Sequence, residues 1–363
     1  MGLSCGIIGL PNVGKTSVFN ALVGGQGLVA NYPFSTVESN VGVSVIPDPR
    51  LSVLAEKFRS KKVTPGTLEV RDIAGLVQGA SRGEGLGNQF LGQIREVDAL
   101  LHLVRCFDDP EVVHVPGEVD PVRDVAIIEN ELILADLAII ERRRERLEKR
   151  LRTGDAAVKK ELDVVSRVES LLAEGCWLSG RVTDPEEQKR LKDYQLLTAK
   201  PVVFVANVSE DAEPDDPVVQ AVLNLARERQ TSAIVLAGKV EAEVASLPAS
   251  EREEFFQALG MNESGLQRLM AVVNDMLGLI TFFTAGEEEA RAWTIRKHTT
   301  AREAAGKIHS DMQRGFIRAE VFAFEDLVAC GTLAAVKEKG LFRLEGRDYV
   351  IQDGDVVYFR FNV

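Results

Sequence analysis

This sequence predicts an α/β fold with a mostly parallel central sheet, an inserted antiparallel helical hairpin, and a smaller α+β module towards its C-terminal end. Three observations predict it. A short apolar run, Cys5-Gly6-Ile7-Ile8, leads through a Gly-rich loop into a helical pattern with Val18, Phe19 and Leu22 on one face. A near-continuous apolar run from Val202 to Ala206 has the composition of a parallel strand covered on both faces. Between these two, from about Val122 to Gly175, the apolar period becomes that of long helices, and after Ile280 it becomes that of short strands.

The first loop defines the chemistry. Gly9-Leu10-Pro11-Asn12-Val13-Gly14-Lys15-Thr16 fits the phosphate-binding pattern G-x-x-x-x-G-K-[ST] at every specified position. Gly9 and Gly14 permit backbone angles that let successive N–H groups turn toward anionic oxygens, and the following helix adds a partial positive charge there. Lys15 is placed to reach the β- and γ-phosphates, and the Thr16 hydroxyl to ligate Mg²⁺. Asn12, Val13, Gly14 and Ser17 complete the predicted nucleotide cradle.

After a loop at Gly24-Gly25-Gln26-Gly27 and the stretch Asn31 to Thr36, a strand is predicted over Val37 to Ile46, ending at Pro47-Asp48-Pro49. Thr36 lies where such folds supply a second hydroxyl to Mg²⁺. Leu51 to Phe58 reads as a short surface helix, and Thr67 to Asp72 as the next strand. That strand runs into Asp72-Ile73-Ala74-Gly75, a D-x-x-G sequence that opens a Gly-rich segment, Gly79 to Gly87. Asp72 is expected to support Mg²⁺ through a water, and the Gly75 N–H to sense the γ-phosphate. Asn88 to Val97 reads as a helix and Ala99 to Phe107 as a buried strand, with His102 a core residue rather than a catalyst. A polar loop, Asp108 to Gly117, follows and contains His114.

Two apolar stripes, Ile128/Leu132/Ala135/Ile139/Leu147/Leu151 and Val158/Leu162/Val165/Val168/Leu172, predict a helical hairpin with coiled-coil character. Glu141 to Arg152 holds seven basic residues against three acidic ones, a net of +4. An RNA or ribosome contact at this tip is one reading; a solvated face of i,i+4 ion pairs is the other. The 135 positions between Asp72 and Asn207 exceed the roughly 30–60 that one or two βα units need, so the hairpin is an insertion. The predicted organisation is a nucleotide-binding domain over 1–121 and 196–279, the insert over 122–195, and the C-terminal module over 280–363, whose hairpin strands, helix and further strands resemble a ubiquitin-like grasp. His298 and His309 there have no metal-spaced partners.

With 363 residues, 45% of them hydrophobic, the chain is long enough for two or three domains. Its formal charge of −12 argues against uniform non-specific nucleic-acid binding but leaves room for a local basic surface. No apolar run approaches the roughly 18–20 residues of a membrane span. Cys5, Cys106, Cys176 and Cys330 are scattered, as expected of reduced thiols in a cytoplasmic protein. A monomer is the default expectation.

Taken together, these segments resemble the Obg-related P-loop ATPase family known in bacteria as YchF. The likeness is carried by the phosphate loop, Asn31-Tyr32-Pro33-Phe34, Pro47 to Leu51, Asp72 to Val77, Gly83 to Phe90, the helical insert, Arg291 to Ile295, Ala305 to His309 and Asp353-Gly354-Asp355-Val356. The C-terminal module resembles a TGS domain. The resemblance implies a translation-factor-type nucleotide domain that prefers ATP to GTP. Where GTPases carry N-K-x-D, this chain reads Asn207-Val208-Ser209-Glu210. Val208 changes the aliphatic clamp over the base, and Glu210 misplaces the carboxylate that would accept guanine's N–H groups; Glu210 is expected to point away, leaving adenine to backbone groups around Val208. A well-formed polar contact to a base can discriminate by about 10⁴–10⁵-fold, so its loss removes strong guanine preference. Leu76 stands where related enzymes use a Gln to orient water, and the resemblance implies that His114 serves hydrolysis instead. It also implies a slow, Mg²⁺-dependent switch that binds the ribosome through the helical arm and the TGS module. The rivals are a GTP-specific Obg-like GTPase and a ribosome- or RNA-binding module with a largely structural nucleotide site.

Overall fold

The structure, a computed structural model, describes residues 3–24, 41–74, 86–151, 155–213, 215–248, 251–252, 255 and 264–362. In chain order it forms β1 (Ser4–Ile8), α1 (Lys15–Gly24), β2 (Val41–Ile46), α2 (Pro49–Phe58), β3 (Lys62–Thr64), β4 (Gly66–Asp72), α3 (Leu86–Glu96) and β5 (Ala99–Cys106). Then come α4 (Pro121–Leu151), α5 (Ala156–Ala173), α6 (Pro185–Lys192), β6 (Val202–Val208), α7 (Pro217–Glu228), β7 (Ser232–Leu236), α8 (Gly238–Ala245) and a helix over Gly265–Met276. The C-terminal part adds β8 (Leu279–Ala285), β9 (Glu289–Arg296), helices over Ala301–Ile308 and Ser310–Arg314, β10 (Phe316–Ala323), helices over Phe324–Cys330 and Leu333–Glu338, β11 (Arg343–Glu345) and β12 (Asp355–Phe361).

The nucleotide-type sheet runs β2-β4-β1-β5-β6-β7. Every pair from β4 through β7 is parallel. β1, β5 and β6 are buried along their whole lengths, which is why they read as apolar runs without alternation. Phe204, Ala206 and Val208 of β6 pack with Val219, Val222 and Ala226 of α7.

The inserted hairpin is α4 and α5, joined across 152–155. Its seam consists of Ile133, Ile140 and Leu147 on α4 and Val158, Val165 and Leu172 on α5, each set spaced by seven residues as knobs-into-holes packing requires. The predicted α4 stripe differs in register at its base. Ile128 and Leu132 are fully buried but lie outside this cluster, because the first turns of the long helix pack on the sheet rather than on α5. Asp136, on α4, is fully buried and accepts from the Leu197 and Thr198 N–H groups at 2.9 and 2.8 Å and from the Thr198 hydroxyl at 2.7 Å. It thereby fixes the chain where it returns toward β6.

The chain divides into two compact units: residues 1–43 with 69–269, and residues 44–68 with 270–363. The second unit bears on two expectations. α2 is a surface helix, with Pro49, Ser52, Glu56 and Lys57 exposed, whose other face buries Leu51 and Leu54 among Phe283, Phe322 and Val356. Asp48 caps it by accepting from the Arg50 N–H at 3.0 Å, Pro49 occupies its first turn, and Arg50 reaches Asp353 at 2.7 Å. The second sheet, β11-β10-β12-β8-β9-β3, also recruits β3, which pairs in parallel with β9. α2 and β3, expected in the nucleotide domain, therefore fold with the C-terminal module, while β2 and β4 on either side of them pair in the nucleotide-type sheet. The helix expected over Thr300 to Arg314 breaks at His309, whose extended backbone and Nδ1, accepting from Asp311 N–H at 3.1 Å, start a new turn.

Candidate functional site: a phosphate loop and a base cavity

β1 ends in a turn whose backbone only glycine can follow at two points. Gly9 has φ +152°, and a side chain there would lie 2.5 Å from the Leu103 carbonyl oxygen. Gly14 has φ +93°, and a side chain there would lie 2.5 Å from Asn207 Nδ2. Asn12 sits between them at φ +62°. α1 then starts at Lys15, with Val18 N–H donating to Gly14 O at 3.1 Å. The Lys15 ammonium is folded into this loop, donating to Gly9 O at 3.1 Å and Leu10 O at 2.7 Å. Burial lowers its pKa to about 8, against the opposing pull of Asp72.

The Thr16 hydroxyl donates to Asp72 Oδ2 at 2.8 Å, bringing two predicted Mg²⁺-site groups together across 56 residues. The register makes this pairing: Ile7 of β1 lies beside Asp72 at the end of β4. A hydroxyl and a carboxylate are hard oxygen donors, and no group of three or more His, Cys, Asp or Glu gathers as a cage among the described residues. That donor set fits Mg²⁺, which is commonly held by one or two protein groups with phosphates and waters supplying the rest. Thr36, Gly75 and Leu76 lie outside the described residues.

Beside the loop opens a cavity of about 730 Å³ whose lining includes Asn12, Gly14, Phe107, Asn207, Glu210 and Lys239. Val208 and Ser209 line it as well; Ser17 does so from α1. Asn207 is its anchor. Its Nδ2 donates to Val13 O at 2.9 Å, and its Oδ1 accepts from the Gly238 N–H at 2.9 Å, so one buried amide ties the phosphate loop to the start of α8. Glu210 is exposed and belongs to the cavity lining.

His114 is placed differently from the sequence reading. It is buried, not on a free polar loop, and its Nε2 lies 2.7 Å from Asp124 Oδ2 in the first turn of α4. Arg123 donates to the other oxygen of Asp124. His114 Nδ1 has no hydrogen-bond partner among the described residues. The site does not bring His114 into the cavity lining beside Asn12 and Asn207. The partner that sequence reasoning missed, Asp124, was signalled only as an acidic residue in a helix's first turn, which usually has a purely local meaning. His102 is the core residue expected: burial and the nearby Lys15 lower its pKa to about 3, so it stays neutral.

Comparisons with known proteins agree with this geometry. Residues 4–134 match the family described as 50S ribosome-binding GTPase, and residues 279–362 match the YchF-GTPase C-terminal family, described as a protein of unknown function. Over the full length of both chains, the sequence is 47% identical to the ribosome-binding ATPase YchF of Haemophilus influenzae and 48% identical to that of Bacillus subtilis. The structure of the Schizosaccharomyces pombe YchF GTPase superposes with a TM-score of 0.87 at 35% identity, covering 99% of this chain and 98% of that one. A GTP-binding protein of Pyrococcus horikoshii shares the fold, with a TM-score of 0.61 at 20% identity over 99% of this chain and 100% of its own. A phosphate loop on a parallel sheet, a helical insert and a matching C-terminal part, over the full length of close relatives, make this chain a member of the YchF family of P-loop NTPases.

Proposed function

We propose that this chain binds Mg²⁺ and ATP in preference to GTP, hydrolyses ATP slowly, and changes its affinity for the ribosome between nucleotide states. The observation that carries the base assignment is the Asn207 clamp. Asn207 fixes the strand end at the phosphate loop and at Gly238, and Val208 and Glu210, which follow it and line the cavity, are in this reading the residues that meet the base. Neither offers guanine the two-acceptor carboxylate geometry that an Asp at position 210 would. Lys15 and the loop amides hold the phosphates; Thr16, Thr36 and Asp72 hold Mg²⁺, which supplies charge neutralisation of the phosphates when bound; Gly75 senses the γ-phosphate.

Side-by-side binding of ATP and GTP with Mg²⁺ tests this. Wild type is expected to bind ATP more tightly, and Glu210→Asp combined with Val208→Lys to gain GTP affinity by at least about tenfold. Equal or tighter GTP binding by wild type would overturn the assignment and favour the GTP-specific rival.

The relatives' names include ribosome binding, and the helical arm supplies a surface for it here. Part of its basic run is consumed internally: Arg143 pairs with Glu161, and Arg144 with Glu148 and Glu169. Arg146 and Lys149 remain exposed on the same helix. Reversing both to Glu should weaken co-sedimentation with ribosomes about tenfold at roughly 0.1 M salt, with turnover of the free protein unchanged. Unchanged co-sedimentation would remove the arm from the interface and leave the C-terminal TGS-like module as the contact. The protein acts in this reading as a cytoplasmic monomer; among the described residues no helix is long and apolar enough to cross a membrane.

A further inference from the structure

Arg105 is the largest fully buried side chain among the described residues, at 1% exposure, and it stands in the interior of the nucleotide-type sheet. It occupies β5 opposite Asn207 of β6, at the strand ends from which the site's loops spring. No carboxylate pairs with it among the described residues. Its guanidinium instead donates to three backbone carbonyls of the loop that follows: Phe107 O at 3.1 Å, Val112 O at 2.8 Å and Asp109 O at 3.3 Å. It also lies 4.5 Å from the centre of the Phe107 ring, which fixes that ring's face.

A buried guanidinium without a counter-charge is costly, and its rigid fork of donors is satisfied here only because the loop wraps around it. That loop is one wall of the base cavity: Phe107, Asp108, Asp109 and Val112 all line it. Its far end is held from the phosphate loop, where Asn12 Nδ2 donates to Val113 O at 3.0 Å. The wall is thus tied to Arg105 on one side and to Asn12 on the other, immediately before His114.

We infer that Arg105 is a positioning residue for the nucleotide: it presets the Phe107–Val112 wall against which the purine ring packs, without touching the phosphates. This rests on the nucleotide-binding reading above and adds to it the residue that shapes the base slot. Bases commonly pack on aromatic faces, and a preset wall raises affinity by removing the ordering cost at binding.

The test compares ATP with inorganic tripolyphosphate, which engages the phosphate loop alone, on the full chain with Mg²⁺. Arg105→Met keeps the apolar stem and removes every donor; Arg105→Lys keeps the charge and loses the fork. In Arg105→Met, Kd and KM for ATP should rise about tenfold with kcat changed less than about threefold, while tripolyphosphate affinity holds and amides of 107–113 exchange faster. Arg105→Lys should restore part of the ATP affinity. Phe107→Ala, which leaves the carbonyl bonds available, serves if the Arg105 variants do not fold; it should lose ATP affinity about tenfold and keep tripolyphosphate affinity. Unchanged ATP affinity in folded Arg105→Met, or in Phe107→Ala, overturns the inference, as does an equal loss for ATP and tripolyphosphate. If wild type selects GTP, the ATP reading fails while the same comparison, run with GTP, still decides the role of Arg105.

Discussion

Lys15→Ala will lower nucleotide turnover by about 10²–10³-fold, the size expected when one preorganised positive donor is taken from a phosphate being transferred. Lys15 is held inside the loop by the Gly9 and Leu10 carbonyls, so its charge already lies within the loop expected to cradle phosphate. Single-turnover assays on protein shown to be folded by circular dichroism check this. Turnover within threefold of wild type would support the rival in which the nucleotide site is structural. A pH signature accompanies the prediction. Burial depresses the Lys15 pKa to about 8 in the free protein, and bound phosphates raise it again. The complex therefore binds more protons than the free protein above that pH, and ATP affinity should fall as pH rises through about 8, by up to tenfold per unit. Calorimetry in two buffers of different ionisation heat should show proton uptake near pH ~8.5 in wild type and less in Lys15→Ala. Affinity that stays flat through that range would contradict the linkage.

Asp136→Ala will destabilise the nucleotide-binding unit by about 3 kcal/mol. Asp136 is fully buried and is the shared acceptor for two backbone N–H groups and one hydroxyl. Its removal leaves those donors desolvated and unpaired, at about 1–3 kcal/mol for each group that water cannot reach. The midpoint of thermal unfolding should drop by roughly 6–12 °C, on the basis of about 2–4 °C per kcal/mol for a unit of this size. Asp136→Asn keeps one acceptor but turns an N–H₂ toward the donors, so it should recover only part of the loss. A drop under about 2 °C for Asp136→Ala would mean that the chain between α6 and β6 is held by packing alone.

The phosphate loop was legible from its letters because phosphate binding uses consecutive backbone N–H groups and a helix start, all within eight residues. Asp72 was legible for a similar reason: a strand must end there, and the D-x-x-G spacing is local. The parallel strands showed as apolar runs because both faces are covered. The heptad spacing of the hairpin was visible, but its register at the base was not, since α4 changes partner along its length from the sheet to α5. The strands expected over Thr67 to Asp72 and Ala99 to Phe107 lie within one residue of the observed bounds, Gly66–Asp72 and Ala99–Cys106.

What the sequence by itself determined is therefore the set of groups whose chemistry lies within one turn of chain: Gly9 to Ser17, Asp72, and the run into Asn207. Only the tertiary structure decided which distant groups complete them. An arginine near the end of an apolar strand has no visible partner until the following loop folds back onto it. His114 reads as a free imidazole until α4 brings Asp124 against it. Leu51 and Leu54 mark an apolar face of α2 without saying what covers it; their partners Phe283 and Phe322 lie more than 200 residues away. Burial and ion pairing are properties of what the chain meets in space, and a local pattern constrains only the face it presents, not the surface that covers it.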